Sequence, residues 1–161
     1  MNITKIVNEA GCFDLQFRRD VKHNRPNKPV YYGWKAQFVV MGKYDDENLL
    51  RGIQNSLNCG RLHFVGENKI RYSVQDIDNL YNKVVLFFKE NHLSGKKKQD
   101  FDSWAKAIEV LFQNKGKAIK EWKKKDFLQL IEIQKIRQKY KSKKIQGQKW
   151  LSIAEAISKA K

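Results

Sequence analysis

Proline is nearly absent from this chain: 2 among 161 residues, Pro26 and Pro29, both in one loop. No other stretch carries the residue that most reliably breaks a helix or a central strand. Cysteine is equally scarce. Cys12 and Cys59 stand far apart with no Cys/His cluster near either, which excludes a disulfide framework and a zinc site and leaves two reduced thiols. No apolar run approaches the roughly 18 residues of a membrane span, and no stretch reads as a basic amphipathic anchor. The first residues enter an apolar stripe rather than an Arg-rich presequence or signal peptide, so a secreted protein is not expected. Acidic residues are in deficit, 17 against 33 Lys and Arg, giving a formal charge of +16. That balance calls for a polyanionic partner. Nucleic acid leads, because basic residues gain affinity by releasing its counterions. The composition leans instead on Lys, Asn, Ile, Phe and Tyr, residues with AT-rich codons, which fits an organellar, phage or AT-rich bacterial genome.

The pattern along the chain is that of one α+β domain. Ile3, Ile6, Val7 and Ala10 lie at helical spacing, and Gly11 ends that helix. Phe13, Leu15 and Phe17 then alternate with Asp14, Gln16 and Arg18 as in a half-buried strand. After the proline loop, a strand from Val30 to Met41 sets Tyr32, Trp34, Ala36, Phe38 and Val40 on one face; Tyr31, Gly33, Lys35, Gln37 and Val39 take the other. Gly42 to Asp46 reads as a turn. Leu49, Leu50, Ile53 and Leu57 mark a helix ended by Asn58-Cys59-Gly60. A hairpin follows, with Leu62, Phe64, Ile70 and Tyr72 on one face and Arg61, His63, Lys69, Arg71 and Ser73 on the other. Asp76 caps a helix bearing Ile77, Leu80, Val84, Phe87 and Phe88. Another helix carries Phe101, Trp104, Ala105, Ile108, Leu111 and Phe112; at helical spacing these aromatics read as core, not as a stacking platform. The last third is basic and helical, with a stripe of Phe127, Leu130, Ile131 and Ile136 and a final helix around Trp150, Leu151, Ile153 and Ile157.

A helix running through Ile3-Thr4-Lys5-Ile6-Val7-Asn8-Glu9-Ala10-Gly11-Cys12-Phe13 onto the first strand resembles the motif of the LAGLIDADG homing endonucleases. Leu57-Asn58-Cys59-Gly60 resembles that family's helix-to-hairpin corner. Leu93, Lys96-Lys97 and Asp100-Phe101 resemble the segment carrying its catalytic-site lysine, and Lys125-Asp126-Phe127 through Ile136-Arg137 its C-terminal helix. The resemblance spans residues 3 to 140. It implies an αββαββα fold with a four-stranded antiparallel sheet and extra C-terminal helices: residues 1–140 form a LAGLIDADG-like nucleic-acid-binding domain, and 141–161 a basic helical extension.

The departures from the family pattern set the functional expectation. The family's metal-binding acid falls at Ala10, which has no ligand to offer, and Glu9 beside it is turned by about 100°. The polar residue the family often uses near the end of the second strand falls at or near Gly42. The small pair that packs two motif helices is replaced by Thr4 and Lys5, so a monomer is expected rather than a homodimer. No catalytic residue and no metal ligand is assigned, and no cofactor is expected, Mg²⁺ entering only if the chain is an endonuclease. The expectation is a non-enzyme, a catalytically inactive binder of structured RNA: a ribosomal or other ribonucleoprotein component, or a maturase-like factor, in a mitochondrion or other organelle, or in the cytoplasm. A folded RNA needs only shape and phosphate complementarity, which favours RNA over duplex DNA. Two alternatives stand beside it: a divergent, homodimeric, Mg²⁺-dependent site-specific DNA homing endonuclease, and a DNA-binding repressor on the same fold. In each case the family's sheet, laid along a groove, predicts the contact surface: Gln16, Arg18, Lys35, Gln37, Arg61, His63, Lys69 and Arg71. Lys96, Lys97, Lys123, Lys124, Lys125, Arg137, Lys139, Lys141, Lys143 and Lys144 are expected to add grip on phosphates.

Overall fold

A computed structural model describes residues 2–21, 23–140 and 145–161, with the backbone alone at 140 and 145–150. Lys141, Lys143 and Lys144 therefore lie outside the described residues, as does the side chain of Trp150. Helix α1 (Ile3–Ala10) leads into strand β1 (Gly11–Val21), which is followed by β2 (Val30–Lys43), a 3₁₀ turn (Tyr44–Asp46) and α2 (Glu47–Leu57). Then come β3 (Arg61–Val65), β4 (Lys69–Val74), and a continuous helix made of α3 (Ile77–Asn79), a π-helical stretch (Leu80–Val85) and α4 (Leu86–Glu90). Helices α5 (Gly95–Gln113), α6 (Lys124–Tyr140) and α7 (Ile145–Ala160) complete the chain. The strands form one antiparallel sheet in the order β1-β2-β4-β3. The expected α+β fold, with its four-stranded antiparallel sheet and extra C-terminal helices, is the one observed.

Alternation decides which face of the sheet is covered. Phe13, Leu15 and Phe17 of β1, Trp34, Phe38 and Val40 of β2, and Ile70, Tyr72 and Val74 of β4 are buried beneath the helices. Phe13 sits at the centre, its ring 5.1 Å from Phe38 and 5.0 Å from Trp104, with Phe88 and Phe101 on its other sides. Each such pair adds about 0.5–1.5 kcal/mol beyond area burial. Leu151 and Ala154 of α7 join the same core. Gly11, between α1 and β1, is there for closeness: a Cβ would lie 2.6 Å from Val7 Cγ1 and 2.8 Å from the Val7 carbonyl oxygen.

Three local expectations are corrected. Ile136 is 46% exposed. It stands nine residues after Phe127, and nine steps of about 100° leave it about 180° from that residue, on the outer side of α6. The buried stripe continues instead through Ile133, Gln134 and Arg137. Phe64 does share a face with Leu62, but at 58% exposure it is not core, because β3 is an edge strand; the Tyr44 ring packs edge-on against it, at 5.0 Å. The second strand continues past Met41 to Lys43, carrying its alternation through Gly42.

Candidate nucleic-acid interface

The uncovered face of the sheet gathers the strand residues expected to touch nucleic acid. Its cross-strand rows follow from register. Lys35 lies opposite Gln16, and Arg18 opposite Gly33, towards the β1–β2 hairpin. At the other end His63 lies opposite Arg71, Arg61 opposite Ser73, and Lys69 between Val65 and Lys43. Gln16, Arg18, Lys35, Arg61, His63 and Lys69 are exposed. Lys43, missed at the sequence level, adds a cation beside Lys69; its signal was the alternation Val39, Met41, Lys43 running on through a glycine.

Between these two basic ends the face is fixed by its own hydrogen bonds. The Asp14 carboxylate accepts from Gln16 Nε2 and from Gln37 Nε2, each at 3.0 Å. Gln37 Oε1 in turn accepts from Arg71 at 2.7 Å and from Gln75 Nε2 at 3.2 Å. The Gln37 amide thus stands between an acid and a guanidinium, its nitrogen toward one and its oxygen toward the other. Gln37 and Arg71 are half-buried, so they form a preorganised floor and not free arms. The surface can do two things: hold phosphates with mobile cations at each end, and present a rigid polar pattern in the middle.

The residues at the end of α1 are arranged by α5 and α6. Lys97, in the first turn of α5, donates from Nζ to the Gly11 carbonyl oxygen at 2.5 Å. Asn8 Oδ1 accepts from the Ser94 amide at 3.2 Å, tying α1 to the same loop. Arg137 donates to the Phe13 carbonyl, Gln134 Nε2 to the Leu15 carbonyl at 2.7 Å, and Trp104 Nε1 to the Asp14 carbonyl at 2.9 Å. In an antiparallel edge strand alternate carbonyls point away from the neighbour, and those of Gly11, Phe13 and Leu15 are all taken by side chains.

Arg137 is therefore not a phosphate contact. It is 4% exposed and pairs with Asp100 Oδ1 at 2.7 Å, and it also donates to the Asp100 carbonyl at 3.0 Å. Burial pulls its pKa below the ordinary guanidinium value, against the pull of the Asp100 carboxylate. Its position on the Phe127–Leu130–Ile131 stripe was the available signal. Lys96, Lys123, Lys124, Lys125 and Lys139 are exposed. They do not form one patch, because Lys125 and Lys139 are separated by about 20 Å of helix.

A divalent ion does not fit the end of α1. The Ala10 side chain has no donor atom, and Glu9 points outward with Lys5, away from the buried side of the helix marked by Ile3 and Val7. The Gly11 carbonyl already carries the Lys97 ammonium. Among the described residues no three His, Cys, Asp or Glu side chains converge as a metal site would require.

The sequence model of the LAGLIDADG endonuclease family matches residues 10–108, from the end of α1 through most of α5. The chain belongs to the LAGLIDADG endonuclease family. A "Probable intron-encoded DNA endonuclease 1" of Mycosarcoma maydis is 27% identical over 93 residues, which is 58% of this chain and 31% of that protein, so the chain spans under a third of its length. Among solved structures, the homing endonuclease I-TnaI superposes with a TM-score of 0.71 at 16% identity, covering 94% of this chain and 95% of I-TnaI. I-SmaMI, described as bound to uncleaved DNA with calcium, superposes with a TM-score of 0.67 at 15% identity, covering 82% of this chain and 42% of its own. These two likenesses establish the LAGLIDADG fold. The family match overturns the expectation of a non-enzyme: the matched family is one of endonucleases, and the M. maydis relative is named as one. Among the described residues no helix is long and apolar enough to cross a membrane.

Proposed function

We propose that this LAGLIDADG chain works in a site-specific DNA endonuclease, gripping duplex DNA on its open sheet face. The observation that carries the reading is the build of that face: exposed Arg18 and Lys35 at one end, Arg61, His63, Lys43 and Lys69 at the other, and a rigid Asp14–Gln37–Arg71 floor between them. Exposed cations suit backbone phosphates, and fixed amide and guanidinium groups suit base edges in a major groove. Membership of an endonuclease family and the DNA-bound state of I-SmaMI support DNA over RNA. Ala10 leaves this unit without the motif acid, so the acid for cleavage comes from a second, non-identical unit docked on the outward face of α1. Lys5 on that face disfavours a second copy of the same chain, since two such lysines would meet at a symmetric seam. Alone, the chain is expected to sediment as a monomer. A mitochondrial or other organellar setting fits the intron-encoded relative and the lean of the composition toward Lys, Asn, Ile, Phe and Tyr.

The test is selection from a randomised duplex library, followed by a cleavage assay in magnesium buffer with native complex purified through a tag on this chain. Convergence on one duplex sequence that the complex then cuts is the expected result. A pool that never converges, with folded RNA displacing every duplex, refutes the proposal.

A further inference from the structure

Resting on the DNA-directed reading, we infer that Asp14 is a positioning residue for base selection. Its carboxylate fixes the Gln37 amide so that Arg71 offers donors alone, and the centre of the sheet then takes guanine in preference to adenine. A carboxylate in the middle of a face that grips a polyanion calls for a reason, since it repels every phosphate that approaches. Its partners supply one. Gln37 lies directly opposite Asp14 in the β1–β2 register and donates from Nε2 to Asp14 Oδ2 at 3.0 Å. An ionised carboxylate only accepts and a guanidinium only donates, so the amide between them has a single workable orientation. Its nitrogen faces Asp14, and its oxygen accepts from Arg71 Nη2 at 2.7 Å and from Gln75 Nε2 at 3.2 Å.

Arg71 is held by this chain of bonds rather than by its own place in the ladder. Its register partners are Met41 on β2 and His63 on β3, yet its guanidinium bonds to Gln37, further along β2. The side chain therefore leans along the open face past Val39 and Ser73, which are only 8% and 5% exposed although they belong to that face. Its Nε is buried without a partner, so the guanidinium gives up one donor in staying on Gln37. Both lone pairs of the Gln37 oxygen are spent, which leaves the amide unable to make the paired donor-and-acceptor contact that reads adenine. What remains for a base is the set of N–H groups on the two terminal nitrogens of Arg71 that Gln37 does not use. Donors with no acceptor beside them match N7 and O6 of guanine, and they meet the N6 amino group of adenine as like with like. Without Asp14 the amide is free to turn over, and the pattern mixes donor with acceptor.

The experiment measures affinity by fluorescence anisotropy in magnesium-free buffer. The probes are the selected duplex, versions of it with each base pair changed in turn, and an unrelated duplex. Wild type is expected to prefer guanine over adenine at one position by about tenfold or more, within the range of one bidentate contact, and Arg71→Met should abolish that preference. Asp14→Leu, close in size but with no acceptor, should cut the preference below about threefold while binding the unrelated duplex more tightly. Asp14→Asn still accepts from Gln37, so it should gain the same affinity for unrelated duplex yet keep the preference within about twofold. Gln37→Met should lose the preference as Asp14→Leu does, and the double variant should lose no more, because the two residues act in series. Should Asp14→Leu fail to fold, Gln37→Met and Asp14→Asn give the same decision. A guanine preference that survives Asp14→Leu or Gln37→Met overturns the inference, as does one lost in Asp14→Asn, which would trace it to charge alone. Wild-type chain that converges on no duplex refutes the DNA reading and this inference with it, whereas a converged duplex whose preferences ignore Arg71→Met refutes this inference alone.

Discussion

Arg137 separates a structural role from a binding role more sharply than any other residue, because its sequence context suggests phosphate contact and its surroundings exclude it. In Arg137→Ala, the Phe13 carbonyl loses its side-chain donor and Asp100 keeps a carboxylate with its main cation gone. Breaking one side of a buried pair costs about 3–5 kcal/mol. The Asp100 side chain is 18% exposed, so water recovers part of the loss, which places the expectation near the lower end, at about 3 kcal/mol. For a chain of this size each kcal/mol moves the melting temperature by about 2–4 °C, so a fall of about 6–12 °C should appear in a thermal scan followed by circular dichroism. Arg137→Lys, which keeps the charge but not the fork of donors, should lie in between and remain folded for comparison. Duplex affinity, measured where each variant is folded, should retain the wild-type salt slope. A melting temperature left unchanged, together with a slope lowered by about 0.9, would mean that Arg137 faces a phosphate and that its clamp on β1 is misassigned.

Three further outcomes follow from particular residues. Replacing Arg18, Lys35 and Lys69 together by Gln should lower the DNA salt slope by about 0.9 per side chain while shifting stability by less than about 0.5 kcal/mol per site, read by anisotropy and urea titration; an unchanged slope would remove the open face from the interface. Gly60→Ala should cost about 1–3 kcal/mol in urea unfolding, since Gly60 has φ of +89° and its Cβ would lie 2.6 Å from the Tyr72 ring; a neutral result would mean that the corner after α2 relaxes freely. Burial raises the Cys59 thiol above its ordinary 9.0 and the Tyr72 phenol above its ordinary 10.0. The folded state then keeps protons that the unfolded state has released, so stability should fall as pH rises above about 9. Urea midpoints across an alkaline series check this, and a flat profile would contradict it.

Much of the architecture was legible because alternation and helical spacing are direct images of burial. Phe13, Leu15 and Phe17 against Asp14, Gln16 and Arg18 fixed both the strand and its two faces, and register then followed from pairing with Trp34, Ala36 and Phe38. Reading failed where a residue's type and its position disagree. Ile136 looks like core and Arg137 like surface, yet α6 turns them the other way, because Arg137 can bury its charge against Asp100 and strand carbonyls that need donors. Composition also could not show that Gln37 and Arg71 are held by Asp14 and by each other; that is a three-strand arrangement with partners 23 and 34 residues apart in the chain. The missing acid at Ala10 was visible at once. What it implies for activity was not, because the reading proposed above places the acid for cleavage on a second unit.

The edge of β1 limits how this protein can be joined to others. Over Gly11–Leu15 its outward carbonyls are claimed by Lys97, Arg137 and Gln134, and α7 packs against the strand, so that part of the edge is a poor template for a new strand. Two units meeting at α1, as proposed above, would then remain two separate sheets with no shared strand ladder at this end of β1. The opposite edge, the five-residue strand β3, carries no such side-chain donors on its described carbonyls and is the side more open to strand addition, whether in an engineered fusion or in an aggregate.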